Sequence, residues 1–265
     1  MVIEAGAGRG ALAAAVRAAG FDGRYVCVER SPALRAAAAE RVPGVEVVDR
    51  LPEMPSDGVV LANELLDNIP FDLLQRGPDG WLEVRVDPGP AEELVPASGD
   101  DAALAGRLAP DAPVGGRMPL QRGAAAWLQS ALGVVRRGRV VVVDYADTTP
   151  SLARRPWLDW VRTYRAHGRG GHPVEAPGTQ DVTCEVAVDQ LAALVRPPDA
   201  DRSQAEWLRA HGIDDLVAEA RATWHERAAL GDLAALRARS RVGEADALTD
   251  PAGLGAFRVL EWVVG

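Results

Sequence analysis

Short apolar runs alternate with alanine-rich stretches over the first third of the chain. Val2-Ile3-Glu4-Ala5 has the length of a strand and breaks into Gly6-Ala7-Gly8-Arg9-Gly10. Ala11 to Ala19 is almost pure helix former, and Gly20 stands where a left-handed cap ends a helix. Tyr25-Val26-Cys27-Val28 predicts a second strand that delivers Glu29 at its carboxyl end. Ser31-Pro32 then opens a second helix, with Ser as N-cap and Pro in the first turn, running to about Arg41. Val45 to Val48 predicts a third strand, ending in Asp49. Gly58 to Ala62 is apolar throughout, the pattern of a strand with both faces buried in a parallel sheet. Ala124 to Val135 is helical by period, and Arg139 to Val143 predicts a fifth strand that ends in Asp144-Tyr145.

This order predicts an α/β fold: a single domain over 1–265 with a mostly parallel sheet and helices on both faces. Leu73 to Val86, broken at Gly77-Pro78-Asp79-Gly80, predicts a hairpin, and Asp87 to Pro119 reads as a loop rich in Pro, Gly, Ala and Asp, so 73–119 is an insertion. Residues 151–241 read as a partly helical elaboration. It begins with an irregular Arg-, Trp- and His-rich stretch from Ser151 to Val174 and includes a strand at Val182 to Val188. A closing strand is expected within 255–265.

Composition narrows the function. The net charge of −9 argues against a nonspecific nucleic-acid binder. No apolar run approaches a membrane span, and the start lacks the pattern of a secretory signal, so a cytoplasmic protein is expected. Cys27 and Cys184 are read as two buried thiols. All 29 basic residues are arginine, which excludes lysine Schiff-base chemistry and a Walker-type phosphate loop. The only two asparagines both fall in Asn63-Glu64-Leu65-Leu66-Asp67-Asn68-Ile69-Pro70, a segment that keeps residues scarce elsewhere.

Strand, glycine loop, helix, strand and acid form a complete βαβ unit of the kind that holds a nucleotide-type cofactor. Gly6-x-Gly8-x-x-Ala11 also satisfies the dinucleotide pattern. The run Glu4-x-Gly6-x-Gly8-x-Gly10, however, looks like the first motif of class I S-adenosylmethionine-dependent methyltransferases, and a sulfonium cation suits an acidic rim. Asn63, Glu64 and Asp67 fall on the same sheet edge, where Glu64 and Asp67 together match the donor fork of a guanidinium. Asp144 and Tyr145 end another strand there and are candidates to line an acceptor pocket. His167 and His172 sit in a glycine-rich loop without a third or fourth ligand, so no metal site is expected. Trp157, Trp160, Trp207 and Trp224 are read as core or helix-contact residues.

Several segments together resemble the MidA-like S-adenosylmethionine-dependent methyltransferases, which include the mitochondrial protein arginine methyltransferase needed for respiratory complex I assembly. They are Glu4 to Gly10, Val28-Glu29-Arg30-Ser31-Pro32 with Leu34-Arg35, Ala62 to Pro70, Val143-Asp144-Tyr145, Thr163-Tyr164-Arg165-Ala166-His167, Pro177 to Thr183, and Gly255 to Leu260. The resemblance implies a Rossmann-like fold with a seven-stranded sheet and S-adenosylmethionine as cofactor. It places Gly6, Gly8 and Gly10 on the methionine part, Glu29 on the ribose, and Asn63, Glu64 and Asp67 at methyl transfer. Glu4 and Asp49 complete the expected cofactor edge. The acceptor it implies is arginine in a protein partner. A non-catalytic assembly protein keeping the fold is the main rival, and a nicotinamide-dependent oxidoreductase the other. The chain departs from the family in beginning inside the first strand, which implies a truncated start or an open pocket. It also departs in reading Asp144-Tyr145-Ala146 where Asp-Tyr-Gly is usual.

Overall fold

The computed structural model describes residues 1–166 and 168–265. The chain divides into two compact units, one formed by Met1–Asp199 with Trp262–Gly265 and the other by Ala200–Glu261.

In the first unit, strands β1 (Val2–Ala5), β2 (Tyr25–Val28), β3 (Glu46–Val48) and β4 (Ser56–Asn63) form parallel pairs, with β1 between β2 and β4. Tyr25 to Val28 is buried at every position, as a run without alternation requires in a parallel sheet. Helices α1 (Ala11–Ala18) and α2 (Pro32–Arg41) supply the crossovers. Ser31 caps α2 by accepting a hydrogen bond from the Leu34 amide, and Gly10 opens α1 in the left-handed conformation.

The chain then leaves the parallel sheet for a second, antiparallel one. It consists of β5 (Asp72–Arg76), β6 (Trp81–Val86), β7 (Glu92–Pro96) and, after helix α3 (Gly99–Leu108), β8 (Arg117–Leu120), in the order β7-β6-β5-β8. The predicted hairpin is β5–β6. The loop expected from Asp87 to Pro119 is instead two strands and a helix. Leu74, Trp81, Leu104, Ala105, Met118 and Leu120 form a core cluster that Ala153, from beyond this sheet, completes. Helix α4 (Arg122–Gly133) returns the chain to β9 (Val135–Asp144), which pairs in parallel with β4.

After β9 come β10 (Ala146–Asp147), α5 (Thr149–Leu152), α6 (Trp157–Trp160), β11 (Val161–Arg165), β12 (Gly168–Arg169), β13 (Asp181–Cys184), β14 (Val186–Ala187) and α7 (Val188–Leu194). The stretch expected to be irregular from Ser151 to Val174 is thus largely ordered. Its β11 is the centre of a three-stranded antiparallel sheet, β12-β11-β13, above a core of Leu152, Trp160, Val161 and Cys184. Gln121 and Gln190 are buried and fully engaged: the Gln121 side chain donates to the Glu185 carbonyl and accepts from the Ala187 amide, while Gln190 donates to the Pro119 carbonyl and accepts from the Gln121 amide. Both thiols are free and buried, and burial pushes the Cys27 thiol up to about 11.

The second unit contains β15 (Ala200–Ser203), α8 (Gln204–Ala210), α9 (Ile213–Arg227), α10 (Leu233–Thr249) and most of β16 (Arg258–Val264). β15 and β16 pair antiparallel, and Ala220, Ala235, Ala238 and Ala245 are buried on α9 and α10. β15 was not anticipated from the sequence. Among the described residues the large sheet has seven strands in the order β15-β16-β9-β4-β1-β2-β3. Among the described residues no helix is long and apolar enough to cross a membrane.

Candidate active site at the carboxyl edge of the parallel strands

Register brings the predicted residues to one edge. Ala5 pairs with Val28 on one side and Ala62 on the other, and Asn63 pairs with Val143. Gly6, Glu29, Glu64 and Asp144 follow these residues directly, so they leave the sheet at one level, where open α/β sheets bind ligands. Asp49 leaves β3 on the same edge, exposed and paired to Arg50 at 3.2 Å, which lowers its carboxyl below the ordinary range.

Gly6, Gly8 and Gly10 have φ values of 73°, 54° and 71°. At Gly8 a side chain would meet open space, whereas at Gly10 it would press within 3.3 Å of Ala38 in α2. Gly8 therefore leaves bare backbone facing a potential ligand, and Gly10 lets two helices approach. Glu29 holds the loop: its Oε2 accepts from the Gly8 amide at 2.9 Å, and its Oε1 accepts from the Ser31 amide at 2.9 Å. Glu4 lies beneath the loop rather than on it. It is buried, accepts from the Tyr25 hydroxyl at 2.7 Å, and is pushed above the ordinary carboxylate range by desolvation.

The segment after β4 separates its acids. Glu64 is exposed and adopts φ 49°, a left-handed conformation that side chains rarely take. Its amide donates to the Val143 carbonyl at 2.9 Å, and its carboxyl is raised, first by desolvation and then by the charge of Asp67. Asn63, also exposed, approaches Glu64 Oε1 at 3.4 Å. Asp67 turns inward and is 4% exposed, with Oδ1 accepting from Asn68 at 2.6 Å and Oδ2 from the Tyr145 hydroxyl at 2.5 Å. The expected grip of Glu64 and Asp67 on one guanidinium is therefore corrected: only Glu64 faces outward.

Asp144 is likewise not a pocket wall. It is 1% exposed, and its Oδ2 accepts from the Leu66 and Asp67 amides at 3.0 and 3.3 Å, capping the short 3-10 turn Leu66–Asn68. Burial, then the charge of Asp67, raises its carboxyl well above the usual range. Tyr145 is half-buried and links Asp67 to the Arg162 guanidinium, which stands 5.3 Å from its ring centroid.

The sequence model of one family, described as "putative S-adenosyl-L-methionine-dependent methyltransferase", matches residues 1–202. The chain belongs to this family. Two solved structures of this methyltransferase fold, both from Burkholderia thailandensis, are similar to it. One, of an uncharacterized protein, is 28% identical, with a TM-score of 0.80 over 99% of this chain and 73% of that one. The other, bound to S-adenosyl-homocysteine, is 28% identical, with a TM-score of 0.78 over 99% of this chain and 70% of that one. Among curated proteins none matches.

The methyltransferase edge fits S-adenosylmethionine on its own geometry. Each Glu29 oxygen accepts one amide and retains a lone pair for a hydroxyl. The open space above Gly8 admits a ligand to the backbone, and the carboxylates of Glu29, Asp49 and Glu64 suit a cation. Among the described residues no group of three or more His, Cys, Asp or Glu is placed to hold an ion. His167 lies outside the described residues, and His172 packs its ring edge-on to Trp157 at 5.3 Å. Trp160 is fully buried in the core, as expected. Sequence reasoning missed Arg162 and Glu185. Arg162 lies one residue before the Thr163-Tyr164-Arg165 motif, and only the fold shows that it meets Tyr145.

Proposed function

We propose that this methyltransferase modifies a guanidinium nitrogen of arginine in a protein partner. The observation that carries the reading is Glu64: an exposed carboxylate on a strained backbone, one residue past β4, at the level of the glycine loop.

When bound, S-adenosylmethionine supplies a methyl group activated by the sulfonium. Gly6, Gly8 and Gly10 shape the backbone that receives its methionine part, with Glu4 buttressing the loop from below. Glu29 takes the ribose hydroxyls, Asp49 stands at the outer end, and Asn63 closes the edge beside Glu64. Glu64 accepts N–H groups of the incoming guanidinium and turns one nitrogen toward the methyl. In an in-line displacement most of the rate comes from such positioning and from the local field. Glu64, an exposed carboxylate, would take the proton released by the acceptor nitrogen. Asp67 and Tyr145 hold that residue's turn, and Asp144 holds theirs.

Calorimetric titration with S-adenosyl-homocysteine, beside a Gly8→Val variant, tests the cofactor half; stoichiometric binding lost in the variant is expected. Methyl transfer to single-arginine peptides tests the acceptor half. Transfer to lysine or carboxyl groups with none to arginine would overturn it.

A further inference from the structure

Glu185 is buried, and two arginines converge on it: Arg155 at 2.5 Å and Arg162 at 3.5 Å. Arg162 also donates through Nε to the Asp159 carbonyl at 3.2 Å. Held at these two points, its guanidinium stacks over Tyr145. A cation on the ring face is attracted by the ring quadrupole, so the ring is fixed in plane as well as in position.

The contacts continue without a gap. Tyr145 donates to Asp67, Asn68 donates to the other Asp67 oxygen, and the same Asn68 amide lies 3.4 Å from the Glu64 carbonyl. Glu64 occupies a backbone conformation that persists only where its surroundings impose it. Its amide is held by Val143 and its carbonyl by Asn68.

We propose that Arg162, anchored by Glu185, is a positioning residue of the methyl-transfer edge: it locks Tyr145, which fixes Asp67 and, through Asn68, the turn that aims Glu64. This rests on the reading of Glu64 given above. Arg162 acts through Glu185, Asp159 and Tyr145, so its influence is on the acceptor side and not on cofactor affinity.

The chain has three tyrosines, and labelling them with carbon-13 at Cζ gives one nuclear magnetic resonance signal each, assigned by single Tyr→Phe replacements. In Arg162→Met the Tyr145 signal shifts while that of Tyr25 stays. S-adenosyl-homocysteine binds within about twofold of the unaltered chain, and kcat toward a single-arginine peptide falls about tenfold at unchanged KM for S-adenosylmethionine. Arg162→Lys keeps a cation at the ring and restores most of both losses. Arg162→Met combined with Tyr145→Phe is no worse than Tyr145→Phe alone, because both act through one hydroxyl.

A Tyr145 signal unmoved by Arg162→Met overturns the proposal, as do additive losses in the double variant. If Arg162→Met fails to fold, Arg162→Lys and Tyr145→Phe decide, and full activity in Tyr145→Phe overturns it. An unaltered chain that binds S-adenosyl-homocysteine yet leaves the arginine peptide untouched refutes the arginine reading alone. The Tyr145 signal still tests the Arg162 linkage.

Discussion

The Gly8 amide donates to Glu29 Oε2 at 2.9 Å, tying the loop after β1 to the end of β2 across 21 residues of sequence. The carboxylate that suits a ribose also holds the glycine loop in shape. Glu29→Ala is therefore expected to lower S-adenosyl-homocysteine affinity on two counts. Hydrogen bonds to a charged group contribute about 1.5–3 kcal/mol, so roughly a ten- to hundredfold loss follows. Calorimetry reads it directly, and a loss under threefold would show that Glu29 is peripheral.

The glycines separate by a stability measurement. Gly8→Ala meets open space and suffers only the left-handed penalty of roughly 1–2 kcal/mol. Gly10→Ala incurs that and also crowds Ala38, where overpacking adds about 1–3 kcal/mol. Urea denaturation should rank Gly10→Ala clearly below Gly8→Ala, while cofactor affinity should suffer in both.

Glu64 has a testable strain. Both Glu64→Ala and Glu64→Gly remove the carboxylate and should abolish transfer to arginine peptides. Only glycine relieves φ 49°, so it should unfold at higher urea, by about 1 kcal/mol over the alanine variant. Equal stability of the two would mean that the turn relaxes without cost.

Asp144 predicts a pH dependence. Its folded carboxyl is raised by burial and then by Asp67, so the folded chain binds that proton more tightly than the unfolded one. The stability this provides is complete below the unfolded value of about 3.9 and is lost as pH rises through the higher folded value. Asp144→Asn cannot ionise there. Thermal unfolding from pH 4 to 8 should show the variant gaining on the unaltered chain as pH rises; a constant difference would count against a raised carboxyl.

The parallel core was legible because its strands are buried on both faces and its turns demand glycine. Val26 or Val60 has no other environment to suit. The antiparallel insertion was not, since β7 is mostly exposed Glu92 to Pro96 and takes its strand form from pairing with β6. Likewise β11 alternates buried Val161 and Thr163 with half-exposed Arg162 and Tyr164, but at five residues it is lost among turns. At the site, spacing placed Glu29 and Glu64 correctly on the edge. That Asp67 faces inward depends on Tyr145, 78 residues later, and that Asp144 caps a turn depends on Leu66. Sequence separation hid both partners.

Asp72, the first residue of β5, is the register partner of Leu120, the last of β8. The antiparallel sheet thus departs from and rejoins the chain at adjacent points, and its core of Leu74, Trp81, Leu104 and Met118 is closed by Ala153 from beyond the insertion. Such an arrangement makes the insertion a cassette. Its exposed outer strand β7 is free to diverge or lengthen while the cofactor edge, built on other strands, keeps its register.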